Sequence, residues 1–150
     1  MNYEEFIGEI QHRIRQGTQR EAVRTARSVL ETLGERLTEG EATDLASPLP
    51  MEIDRYLIQV ENKNKYDRDE FIDRVIAKMN YNDIFLLSRY SKPGEINRAE
   101  AVYRIKAVIS LLVDEVPDGE IQDIKDQLPE EFEDLFEFAG LENPPWSQKD

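Results

Sequence analysis

Glu9 and His12 stand three positions apart in Glu9-Ile10-Gln11-His12, the spacing that puts a carboxylate and an imidazole on one helix face as metal ligands in di-iron bundles. A complete site of that kind takes a second such pair, and His12 is the only histidine. Ile10 belongs to the apolar face of the same segment, so Glu9 and His12 are expected to flank it at a solvated edge, and no metal or other cofactor is expected. Paired carboxylates are the second arrangement: Glu41 with Asp44 recurs as Glu120 with Asp123. Such pairs do acid and base work when their environments differ, but each pair falls at the start of a short helix. There acids complement the helix dipole, and Glu41 can close a capping box on Thr38. The chain has no cysteine, the lone histidine has no partner set for a serine or threonine nucleophile, and no glycine-rich phosphate loop is present. No catalytic residue is assigned, and the protein is read as a non-enzyme.

Charge placement says more than charge total. The 150 residues carry a formal charge of -13, which repels phosphate backbones over most of a surface. Against that background Arg13, Arg15, Arg20, Arg24 and Arg27 face Glu21 alone between residues 11 and 30, while residues 111–150 hold 13 acids against Lys125 and Lys149. Arg20, Arg24 and Arg27 follow one helix face, so Arg13, Arg20, Arg24 and Arg27 form a candidate electrostatic patch. Its plainest reading is a solvated face making weak surface pairs. A nucleic-acid role for this stripe lacks interleaved aromatics and stands as the alternative, beside a metal-dependent helical-bundle enzyme.

The elements that position these residues come from an internal repeat. Glu5-Phe6-Ile7 recurs 65 residues later as Glu70-Phe71-Ile72, and Glu21-Ala22-Val23 recurs 79 residues later as Glu100-Ala101-Val102. The second register runs without a gap until Leu57 stands opposite Phe136, through Gly40-Glu41 against Gly119-Glu120 and Leu49-Pro50 against Leu128-Pro129. Each copy reads as four helices. Phe6, Ile7, Ile10 and Ile14 keep one helical face, and Ala22, Val23, Ala26, Val29, Leu30, Leu33 and Leu37 keep another. Capping pairs open them: Asn2 with Glu5, Thr18 with Glu21, Asp67 with Glu70, Asn97 with Glu100. Pro50 and Pro129 suit the first turn of each fourth helix.

No stretch alternates with the period of a strand, which predicts an all-α fold: two tandem four-helix units docked with pseudo-two-fold symmetry into one bundle. One domain over 1–140 is expected, with copy one near 2–60 and copy two near 66–139. Asn62 to Lys65 is the predicted solvated linker, and 141–150 an extended tail. The opening Met1 to Glu5 has no basic region and no apolar run is long enough to span a bilayer, so the expected location is cytoplasmic, away from membranes.

The change of register leaves 14 extra residues near 80–93 in copy two. Tyr81, Ile84, Phe85, Leu86, Leu87 and Tyr90 crowd that segment, which is read as either an extra short helix over the core or an exposed contact patch. With Trp146 behind two prolines, these residues are the candidate partner contacts.

The Glu4-Glu5-Phe6-Ile7 opening, Glu21-Ala22-Val23-Arg24, the run Leu33 to Ala42 and Leu49-Pro50-Met51-Glu52 resemble the prokaryotic domain-of-unknown-function 2267 family, from about Tyr3 to Phe138. The resemblance implies an all-helical two-repeat fold in bacteria or archaea and brings no catalytic motif. The 80–93 segment departs most from the family pattern. The reading is a protein–protein interaction, scaffold or regulatory module whose partner is a protein, self or other; no small-molecule ligand is assigned.

Overall fold

The computed structural model describes residues 1–15, 17–62, 64–87 and 96–147, with 81–87 described by backbone alone. Each predicted N-cap side chain accepts from the backbone N–H three residues on. Helix α1 (Tyr3–Ile14) opens on a complete capping box, Asn2 Oδ1 accepting from Glu5 N at 2.9 Å and Glu5 Oε1 accepting from Asn2 N at 3.2 Å. Thr18 opens α2 (Gln19–Arg36), Thr38 opens α3 (Glu39–Ala46), Asp67 opens α5 (Arg68–Leu87) and Asn97 opens α6 (Arg98–Glu115). Proline stands directly before α4 (Met51–Ile58) and α7 (Asp118–Gln127), where the missing N–H costs nothing. Two 3-10 helices follow, η1 (Glu130–Phe136) and η2 (Pro145–Ser147), and no strand occurs among the described residues.

The paired apolar positions are buried in both copies: Phe6, Ile7, Ile10 and Ile14 on α1, and Phe71, Ile72, Val75 and Met79 on α5. One continuous core holds residues from both halves of the chain. Its topology is crossed. Helix α1 lies against α2 and also against α6, while α5 packs more extensively on α2 than on α6; α3 meets α7. No described helix is long and apolar enough to cross a membrane.

Three expectations change. The fourth helix of the second copy is 3-10, not α, and lies on α6 rather than along α7 as α4 does along α3. One close contact seats α4 on α2. A Cβ on Gly34 would lie 2.4 Å from Leu57 O, so α4 reaches α2 only because Gly34 has no side chain. In the sequence repeat the position opposite Gly34 is Val113, on α6. The linker is not merely solvated. Asn62 Nδ2 donates to Gly34 O at 2.6 Å and Asn64 N to Glu35 O at 2.9 Å, so the linker satisfies carbonyls in the last turns of α2. The tail takes one 3-10 turn at Pro145–Ser147 and is not fully extended.

Candidate functional site

The arginine stripe divides. Arg13 and Arg24 are buried, 8% exposed each, because their stems pack while their heads are held by the other copy. Arg13 donates to Glu9 at 2.8 Å, to Ser110 Oγ at 2.9 Å and to Asp114 at 2.8 Å. Arg24 donates through Nε to Met79 O at 2.9 Å and through Nη1 to Glu21. Arg27 pairs with Glu31 at 3.2 Å beside the Tyr56 ring and is half-exposed; Arg20 is exposed near the start of α2. A buried cation that the sequence reading missed, Arg104, completes the tie. It donates to Glu21 at 2.7 Å, to Thr25 Oγ1 at 3.1 Å and to Glu100 at 3.0 Å. Burial alone would raise the Glu21 pKa, but the Arg104 and Arg24 guanidiniums outweigh it and hold it below the usual carboxylate value. Thr25 and Arg104 occupy one register of the repeat, a small polar residue opposite a long cation, and that was the available signal.

Glu9 and His12 do not converge on a common point: Glu9 is spent on Arg13 and His12 is exposed. The carboxylates Glu41 and Glu120 behave differently. Thr38 N donates to Gln127 Oε1 at 3.1 Å, and Gln127 Nε2 returns a bond to Thr38 Oγ1 at 3.3 Å. Gln127 thus takes the place in the capping box foreseen for Glu41, whereas Pro117 before α7 has no N–H to offer Glu120. Both side chains turn to the α3–α7 seam. Oxygens of Glu41, Asp44 and Glu120 lie within 4.8 Å of one another, and Oε2 of both glutamates is buried without a hydrogen bond. Desolvation, then the charges of Asp123, Asp44 and Glu120, push the Glu41 pKa up. These are the residues that could hold a hard cation through oxygen ligands; a proton on Glu41 relieves the same repulsion.

The tail is anchored. Trp146 is half-buried, edge-on to Phe138 at 5.8 Å and 5.0 Å from the Arg13 guanidinium carbon; Phe138 in turn meets Tyr103 at 5.5 Å. Tyr81, Ile84, Phe85, Leu86 and Leu87 lie on the continuation of α5, whose backbone is helical through Leu87 rather than forming a separate short helix. Tyr90 lies outside the described residues.

Among the described residues, a helical bundle with crossed first helices, one shared core and its buried arginines spent on ties between the halves defines the class. The chain belongs to the DUF2267 family of uncharacterized conserved proteins, which matches residues 3–135. No curated protein matches it.

Proposed function

We propose that this protein acts by contact with other proteins, as a scaffold or regulatory module without chemistry of its own. The observation that carries the reading is the length of α5. Its counterpart α1 ends at Ile14, in step with its last buried residue, whereas α5 continues for two turns beyond Met79. That continuation bears Tyr81, Ile84, Phe85, Leu86 and Leu87, more large apolar residues than a solvated helix end carries, and suits docking of a helix on a second copy or another protein. The crossed packing of α1 on α6 and α5 on α2 supports a pseudo-two-fold relation between the copies. A nucleic-acid role draws little support from the stripe, since Arg13 and Arg24 turn inward onto Asp114, Glu21 and backbone.

Light scattering on the wild type and on a Phe85→Asp, Leu86→Asp double variant tests this. A wild-type dimer that becomes a folded monomer supports the reading. A wild-type monomer whose variant unfolds makes the segment part of the core and removes the reading's basis.

A further inference from the structure

Helix α7 and η1 do not pack along each other as α3 and α4 do. Between them lies an open trough of about 360 Å³. Phe136 is the half-buried ring it presents, with Leu128 and Phe132 nearly covered beside it, and its walls carry Asp126, Glu130 and Glu133 against Lys125. The acids of η1 and its flank are not used alike. On one side Asp134 is bonded to Arg68 at 2.5 Å and Glu137 to Lys106 at 2.6 Å. On the groove side, among the described residues, Glu130 and Glu133 meet no cation, and Asp126 accepts only from Gln122 at 2.9 Å. Lys125 Nζ stands 5.0 Å from the Phe136 ring centre, so a cation already finds that ring favourable; one lysine leaves the three carboxylates largely unneutralised.

A half-buried aromatic ring beside an uncompensated acidic rim is complementary to one kind of surface. We propose that the α7–η1 groove binds a basic amphipathic segment of a partner protein. Apolar side chains of that segment would rest on Phe136 and Leu128, and its lysines or arginines would meet Glu130, Glu133 and Asp126. The acids orient and speed the encounter, and the desolvated ring supplies the anchor. The inference stands apart from the role proposed for α5, because the two surfaces share no residue.

The test uses the full chain and a fluorescein-labelled helical peptide of leucine and lysine, with leucines spaced three and four apart. Binding is read by anisotropy against wild type, a Glu130→Lys, Glu133→Lys variant, a Glu61→Lys, Glu142→Lys variant of equal net charge, and Phe136→Ala, each checked for helix content. The expected result is saturable binding, weakened roughly tenfold or more by the groove pair and by Phe136→Ala but by no more than about twofold by the distant pair. Amide shift changes on the wild type should concentrate on α7 and η1, which keeps the test valid should a variant unfold. Equal weakening by both charge pairs, scattered shifts, or no saturable binding would overturn the proposal. Concentration-dependent self-association abolished by the groove pair alone would name a second copy as occupant and overturn the basic-partner assignment.

Discussion

The backbone carbonyl of Leu57 occupies the space that a side chain on Gly34 would fill, 2.4 Å from the position of its Cβ. This contact seats α4 on α2. A helix-interior glycine is normally improved by alanine by about 1 kcal/mol; here the clash is with backbone, which cannot swing aside.

Gly34→Ala should therefore destabilise the fold by about 1–3 kcal/mol, the usual cost of overpacking. Urea unfolding followed by circular dichroism measures it. A neutral or stabilising result would show that α4 shifts freely.

Glu41 carries a raised pKa in the fold, so the folded chain holds its proton more tightly than the unfolded chain does. The ionised group opposes folding above its folded pKa, and that penalty fades as the pH falls toward the unfolded value near 4.5. Glu41→Gln should raise the thermal midpoint at pH 7 and have little effect at pH 4, as a pair of melting series would show.

Arg104 is 5% exposed and holds Glu21, Thr25 and Glu100 together. Arg104→Met should cost about 2–3 kcal/mol, since partly buried carboxylates lose charge-assisted bonds. Adding Glu21→Gln should recover part of that loss, so the double variant costs less than the sum of the singles. Glu21 has a lowered pKa; the stability it contributes is present above its unfolded value and lost as the pH falls through the folded one. The Arg104→Met variant should accordingly show a shallower acid decline.

Tyr66 donates to Thr32 O at 2.5 Å, and burial, reinforced by the Glu35 charge, drives its pKa well above the usual phenol range. Its protonated form is thus favoured in the fold, and its contribution is fully present below pH 10 and lost at higher pH. Alkaline absorbance titration should show a late ionisation step that disappears in Tyr66→Phe, a change that itself costs about 1 kcal/mol.

Local signals in the sequence carried far. Caps at Asn2, Thr18, Asp67 and Asn97 were readable because their partners lie three residues away, and the buried faces of α1 and α2 because their periodicity is that of the helix. What failed depended on the other half of the chain. Glu41 was expected to cap Thr38, but Gln127, 89 residues on, holds that N–H. Arg13 and Arg24 look like surface cations by spacing alone, and only the arrival of α6 and α5 buries them. Nor did anything local say that Leu57 lies over Gly34.

The crossed packing also sets a schedule for synthesis. Arg13 finds two of its partners 97 and 101 residues further along, on Ser110 and Asp114. While the chain is being made, α1 can rest its apolar face on α2, but the side meant for α6 stays uncovered until about three quarters of the protein has left the ribosome. Its amino-terminal half is an unfinished surface during that interval, and α5 and α6 are the helices that close it.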